Sequence, residues 1–229
     1  MFRAVREWNI GRWRRPARLF AFEFVVVMAG VLAAQALQSW GAERSDRARG
    51  AAQAAAARQN LQSLGATIGF WTRYGPCLRE HVRRVATIAG SGGSLVHQEI
   101  GRPALPLVPL TSWTEDGRQN ALLAVSEKEL NGLILLNGTA TTVSDVQSEI
   151  GHEWATFRLI DPAMGAASAE DRSRVRQAAA LIDNRIGYLV YTKAQLHRVA
   201  GNIGITMPDS PSPNVQPVVG RCGLLKDWR

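Results

Sequence analysis

The stretch LFAFEFVVVMAGVLAAQALQSW, from Leu19 to Trp40, decides the fold because only one of its 22 residues, Glu23, is ionisable. At a rise of about 1.5 Å per residue, a helix of this length measures about 33 Å, slightly more than the hydrocarbon layer of a bilayer. The stretch therefore predicts one transmembrane helix over residues 19–40.

The segment before the span, residues 1–18, is strongly basic, with six arginines against one acidic residue. Short arginine-rich flanks stay in the cytoplasm. We therefore expect a single-pass protein of the bacterial inner membrane, with its amino terminus in the cytoplasm and the bulk of the chain in the periplasm. Arginine and tryptophan near the ends of the span are expected at the membrane interfaces. The predicted interface residues are Trp13, Arg14, Arg15, Arg18 and Trp40.

The formal net charge of +8 raises the question of nucleic-acid binding. Residues 1–18 carry +5 of that charge, whereas residues 41–229 hold 21 basic and 17 acidic residues without a basic stripe. Nucleic-acid-binding surfaces concentrate their basic residues on one face. The charge pattern therefore favours contact with the lipid bilayer, and no nucleic-acid partner is expected.

A cleavable signal peptide is the main alternative to a permanent anchor. Ala34-Gln35-Ala36 has the small-x-small form that signal peptidases accept. The apolar run is long for a signal peptide, however, and Glu23 lies near its start. We favour an uncleaved signal anchor, and cleavage after Ala36 stays open at this point.

One face of the span is suited to contact within the membrane. Gly30 and Ala34 are four residues apart, a small-xxx-small spacing that lets two helices approach closely. Glu23 either reaches toward the headgroups or makes a polar contact with another helix. Glu23, Gly30 and Ala34 are thus the candidate intramembrane contact, and a homo-oligomer formed through the span is one expected outcome.

A resemblance rests on the string from Glu23 to Leu32, followed by Trp40 and the charged pair Glu43-Arg44. This pattern resembles the anchor of a family of uncharacterised bacterial single-span inner-membrane proteins. The resemblance covers residues 19–47 and implies a single amino-terminal span followed by a periplasmic helical domain. It implies no catalytic residues.

Residues 41–206 predict a periplasmic helical bundle, followed by a proline-rich tail over residues 207–229. Apolar residues recur at helical spacing in three long stretches, and no stretch alternates as a strand does. The chain is therefore expected to be all-α, with the membrane helix extended into an antiparallel, four-helix-type bundle. The first stretch carries an apolar seam formed by Leu61, Leu64, Ile68 and Trp71.

Several local signals predict where these helices begin and end. Gly75-Pro76 is expected to kink or break the first helix, because proline lacks an amide donor. A short helix from residue 111 or 112 to about 125 is expected next. Ser126 and Ser168 are predicted amino-terminal caps. A bend is expected near Asn137-Gly138-Thr139, and Asp161-Pro162 should end the helix that begins at Ser126.

The two cysteines, Cys77 and Cys222, both follow the span. In an oxidising periplasm two cysteines usually pair. A disulfide would hold the proline-rich tail against the start of the second helix, which is expected to resume at Cys77. The alternative is two buried free thiols, and we favour the disulfide.

Candidate catalytic groups are sparse. His81 follows Cys77 by one helical turn, but no other part of a thiol-hydrolase signature is present. His152-Glu153 resembles the start of a zinc-protease helix, yet Thr156 stands where the second histidine is required. Glu149 and Glu153 share one helix face, as solvated acidic residues often do. The sequence therefore predicts no catalytic residue, no metal ligand and no cofactor.

The leading hypothesis is a non-catalytic, membrane-anchored protein that binds or scaffolds another membrane or periplasmic protein, as an accessory subunit of an inner-membrane complex. The anchor, the apolar seam and the absence of a catalytic motif favour it. One alternative is a periplasmic ligand sensor that signals laterally through its span, because residues 1–18 are too few for an output domain. A second alternative is a hydrolase whose site is assembled in three dimensions.

Overall fold

The computed structural model describes residues 10–93, 95, 101, 103, 105–208 and 222, with side chains from residue 20 onward. The side chains of the predicted interface residues Trp13, Arg14, Arg15 and Arg18 lie outside this set. Most of the predicted proline-rich tail, residues 209–221 and 223–229, also lies outside it.

Four α-helices make up most of the described chain, and none of its described residues forms a strand. The all-α prediction is therefore confirmed. Two short 3-10 helices, Ala155–Ile160 and Pro162–Met164, lie between the last two α-helices. The α-helices are α1 (Ile10–Gly90), α2 (Glu115–Leu122), α3 (Glu127–Trp154) and α4 (Ala169–Asn202).

The chain divides into two compact units, residues 1–49 and residues 50–229. In the first unit, α1 exposes every described side chain except that of Asp46, which is partly buried. Its charged side chains pair locally, one turn apart: Arg47 Nη2 lies 2.8 Å from Glu43 Oε1, and Arg49 pairs with Asp46. The part of the first unit that the structure describes is thus a helix without a core of its own.

The second unit has a continuous apolar core to which α1, α3 and α4 all contribute. The predicted seam on α1, formed by Leu61, Leu64, Ile68 and Trp71, is buried in this core. The seam therefore packs inside the chain and does not form the surface for a partner that the leading hypothesis assumed. The core residues of α4 include Val175, Ala179, Ile182, Ile186, Leu189, Leu196 and Ala200.

Contacts along the second unit give the directions of its helices. On α1, Gly75 lies against Val190 of α4, and Arg79 pairs with Asp183 of α4. Residue numbers therefore increase along α1 in the direction in which they decrease along α4. These two helices are antiparallel. Helices α3 and α4 are antiparallel as well, because Gly132 lies against Ile203.

Helices α1 and α3 run in the same direction. Arg58 pairs with Glu129 near the start of α3, and His81 stacks on Trp154 at its end, with ring centroids 6.0 Å apart. The chain between α1 and α3 therefore returns along the bundle. Along this return Thr111 accepts a 2.8 Å hydrogen bond from Asn60 Nδ2.

The predicted caps are present. The Ser126 side chain accepts a hydrogen bond from the Glu129 amide at the start of α3. Ser168 and Asp171 form a reciprocal capping box at the start of α4. A third cap, in which Thr114 accepts from the Gly117 amide, starts α2. Helix α2 is shorter at both ends than the expected helix from residue 111 or 112 to 125.

A kink or a break was expected at Gly75-Pro76, and the break is wrong, because α1 continues through both residues to Gly90. A proline inside a helix costs about 3 kcal/mol or more. Trp71 and Leu78 are fully buried on either side of it, and burying one large apolar side chain contributes about 1.5–3 kcal/mol. Burial on both sides therefore holds the helical path, and Pro76 itself is exposed.

At Asn137-Gly138-Thr139, where a bend was expected, α3 continues as a single helix from Glu127 to Trp154. Core residues on both sides, Leu136 and Ala140, hold this part of α3 in register. The Asn137 side chain is occupied outside the helix, where its Oδ1 accepts a 2.8 Å hydrogen bond from the Thr111 amide. The α-helix then ends at Trp154, before the predicted stop at Asp161, and a 3-10 helix fills the interval.

Candidate functional site

The apolar segment of α1, residues 20–40, is the first candidate functional region. Its most apolar 18-residue window has a mean hydropathy of 2.0, and none of that window is buried. By length and composition α1 can cross a membrane, and it is the one described helix that meets this test. In water such a surface would be costly, because exposed apolar area is unfavourable by about 25 cal/mol per Å².

The predicted intramembrane contact lies on this segment, and the side chains of Glu23 and Ala34 are exposed. A Cβ added at Gly30 would meet no atom within 4 Å. Glu23, Gly30 and Ala34 are separated by seven and then four residues, which places them along one side of the helix. The face has room for a second helix, and the contact itself stays a prediction.

The carboxyl-terminal end of the apolar segment combines an aromatic and a cationic side chain. The Arg44 guanidinium carbon lies 5.5 Å from the centroid of the Trp40 ring. Such a cation–π pair suits a membrane interface, where one side of the pair contacts lipid and the other contacts water. Of the five predicted interface residues, Trp40 is the one whose side chain the structure describes. Its contact with Arg44 suits a position at the membrane interface.

Cys77 and Cys222 form the predicted disulfide, with Cα atoms 5.8 Å apart and 145 residues between them in sequence. Cys222 is buried in the core. Cys77 therefore has no free thiol that could act as a nucleophile with His81 as its base. His81 lies instead with its ring parallel to Trp154, at an interplanar angle of 11°.

A groove between α3 and α4, called the α3/α4 groove below, is the second candidate region. It has a volume of about 500 Å³ and opens to solvent. It brings together His152 and the acidic residues that the sequence singled out on α3, and it adds two residues of α4. The lining residues are Asp145, Ser148, Glu149, His152, Glu153, Leu181 and Arg185.

The chemistry of the α3/α4 groove is that of a mixed-charge surface. Arg185 Nε lies 2.8 Å from Glu149 Oε2, and both side chains are more than two-fifths exposed. Among the described residues, no group of three or more His, Cys, Asp or Glu side chains is arranged to hold a metal ion.

Arg79 and Arg83 on α1 both bind the carboxylate of Asp183 on α4. The Arg79 Nε–Asp183 Oδ1 distance is 2.7 Å, and Arg83 Nη2 lies 3.3 Å from Oδ2. The hydrogen bond from Arg79 lowers the pKa of Asp183 below its ordinary value, against a smaller opposing effect of burial. This cluster joins α1 to α4 and is structural.

Exposed aromatic residues on α4 form a surface that the sequence analysis did not single out. Tyr191 is 78% exposed, and Tyr188 and Leu181 are about two-fifths exposed. Their spacings of three and seven residues place them along one side of α4. Because Leu181 also lines the α3/α4 groove, we call the groove and this side of α4 together the tyrosine surface. In the sequence, this surface is indicated only by the helical spacing of Leu181, Tyr188 and Tyr191, and residues on a core face have the same spacing.

No protein-family model, no curated protein and no solved structure matches this chain.

Proposed function

We propose that this protein is a non-catalytic subunit, anchored in the bacterial inner membrane by residues 19–40, whose periplasmic bundle binds another protein. The observation that carries the proposal is the contrast within α1 between an apolar segment with no described partner and a segment buried in a core. A chain that completes its own core and still presents an apolar segment of membrane length is best explained by an anchor.

The direction of insertion follows from the arginines of residues 1–18, which favour a cytoplasmic amino terminus. The disulfide supports this orientation, because structural disulfides persist in oxidising compartments such as the periplasm. The open side of the span at Gly30 and Ala34 supports a second contact within the membrane, with another copy or with a partner's helix.

The tyrosine surface supports the proposed protein partner. Tyrosine is enriched among the residues that dominate binding energy at protein interfaces. Tyr188 follows the groove residue Arg185 by three positions on α4, and Tyr191 follows three positions later. The groove carries charges of both signs, which suits a polar rim around an aromatic centre.

The test is purification of the full chain from its native membrane in mild detergent, followed by identification of the co-eluting chains. We expect a partner in fixed stoichiometry, and we expect Tyr191→Ala to reduce its recovery. Asn131→Ala, at an exposed position near the start of α3 and outside the groove lining, is the matched control. A monomer with both variants alike would contradict the proposal.

Topology is tested separately, with a reporter fused to the carboxyl terminus. Alkaline phosphatase, which is active only in the periplasm, should be active in this fusion. A fluorescent protein that matures only in the cytosol should stay dark. The reverse pattern would overturn the proposed orientation without affecting the fold.

A further inference from the structure

Two stretches of the bundle carry no charged residue, although 20% of the whole chain is charged. The first, residues 103–114, belongs to the return between α1 and α2, and the second, residues 130–144, lies within α3. Charged side chains are mostly exposed in folded proteins and normally populate a surface that faces water. The exposed part of these two stretches therefore differs from an ordinary water-facing surface.

The structure brings the two stretches together. The Thr111 amide donates a 2.8 Å hydrogen bond to Asn137 Oδ1, which joins the return segment to α3. In the return segment, Leu107 is 91% exposed and Leu110 is 46% exposed. Three other apolar residues of this segment are partly buried against the core: Leu105, Val108 and Trp113. The segment is thus fixed on the bundle by some of its apolar side chains while it exposes two leucines.

On α3, the exposed side of the second stretch is apolar or small. Leu135 is 58% exposed, and Gly138 and Thr142 follow it by three and then four residues on the same side of the helix. The Thr142 hydroxyl donates a 3.2 Å hydrogen bond to the Gly138 carbonyl, so its proton is satisfied within the helix. The uncharged face, as named below, consists of Leu107, Leu110, Leu135, Gly138 and Thr142.

Gly138 at the centre of this side of α3 has no packing role within the described chain. A Cβ added there would meet no described atom within 4 Å. Glycine is less favourable than alanine inside a helix. Small residues do, however, let a second backbone approach a helix closely. An approach of this kind from outside the bundle would give the glycine a use.

We infer that the uncharged face pairs with the same face of a second copy of this chain, about a two-fold axis. In such an interface the same patch is present on both sides, so residues near the axis meet their own copies. A charged residue there would meet its like charge, which is unfavourable. A face without charges suits self-pairing, and homodimer interfaces are more apolar than other interfaces. The tyrosine surface, which includes charges of both signs, stays available to a different protein.

The test is photocrosslinking of the full chain in its native membrane, with p-benzoylphenylalanine in place of Leu107. Met164, which is 74% exposed and lies outside the uncharged face, is replaced in the same way as the matched control. We expect an adduct of twice the chain mass, formed with a several-fold higher yield from position 107 than from position 164. Equal yields, or an adduct of position 107 with a lipid or a different protein in place of a second copy, would overturn the inference.

A charge placed on the face gives a second, independent measurement. Leu135→Lys should lower the yield of the dimer adduct from position 107 several-fold, because the two ammonium groups would face each other across the axis. Met164→Lys adds the same charge elsewhere and should leave the yield unchanged. An undiminished yield in Leu135→Lys would overturn the pairing. Thr142→Arg replaces Leu135→Lys if the latter does not give the circular dichroism spectrum of the parent.

Discussion

The two parts of α1, residues 20–49 and residues 50–90, share one helix and differ in what surrounds it. In the first part, the described ion pairs join residues three or four apart, and the large apolar side chains are exposed. In the second part, Arg58 and Arg79 pair with α3 and α4, and most of the large apolar side chains are buried. Both parts are therefore helical, and they differ in whether their apolar side chains are exposed or packed against other helices.

The largest expected difference between the two parts is at tryptophan. Trp71 is 0% exposed and Trp40 is 60% exposed, and both lie on α1. Trp71→Ala should lower the free energy of unfolding of the bundle by about 3–5 kcal/mol, because it removes a buried aromatic side chain. Trp40→Ala should leave it unchanged. Chemical denaturation in detergent, followed by circular dichroism, measures the free energy of unfolding of both variants. Equal decreases in the two variants would contradict the proposed difference between the two parts of α1.

The disulfide stabilises only the second part. By the chain-entropy model, a bridge across 145 residues contributes about 5 kcal/mol, and measured losses on removing native bridges are about 2–5 kcal/mol. Cys77→Ser should lower the melting temperature of the oxidised protein, and adding Cys222→Ser should lower it little further. A reductant should bring the wild type close to the variants. An oxidised Cys77→Ser protein that melts like the wild type would show that the bridge is not formed.

Two glycines of α1 offer a matched pair. A Cβ at Gly50 would clash with the backbone of Asn120, whereas a Cβ at Gly41 would meet no atom within 4 Å. Gly50→Ala should destabilise the bundle by about 1–3 kcal/mol because α2 must move. Gly41→Ala should have no such cost, since alanine favours a helix over glycine by about 0.5–1 kcal/mol. Thermal melting compares them, and a destabilising Gly41→Ala would place an unseen contact on the first part.

The smallest expected effect depends on pH. The pKa of Asp183 is lowered in the folded protein, chiefly by the hydrogen bond from Arg79, so the unfolded chain binds the proton more readily. Its stabilisation is complete above the unfolded pKa of about 3.9 and disappears as the pH falls through the lower folded pKa.

Asp183→Asn should therefore lower the free energy of unfolding at pH 7 by about 1 kcal/mol, a value reduced for partial exposure. Below about pH 4 the difference from the wild type should shrink. Denaturation curves across this pH range provide the measurement. A difference that stays constant with pH would show that the carboxylate is not linked to folding.

The sequence predicted the parts of the fold that depend on local patterns. The apolar seam through Leu61 and Trp71, the caps at Ser126 and Ser168 and the disulfide were all predicted, because spacing and side-chain chemistry determine them. The continuation of α1 through Pro76 was not predicted, since it depends on burial on both sides of the proline.

The candidate surfaces were only partly predictable, for a related reason. The acidic residues on α3 were recognised, but their partner Arg185 lies on another helix and no local pattern indicates it. Tyr188 and Tyr191 have the spacing of a core face, so their exposure becomes apparent only once α4 is packed. The return of the chain that makes α1 and α3 parallel likewise depends on contacts distant in sequence, such as that of Thr111 with Asn137.

The central claim is that one half of α1 lies in a bilayer while the other half lies in a protein core. Its most direct test is alkaline carbonate extraction of native membranes, followed by intact-mass measurement of the protein. We predict a chain that retains residues 19–40 and stays in the membrane pellet. A soluble protein whose mass corresponds to a start at Leu37 would contradict the account.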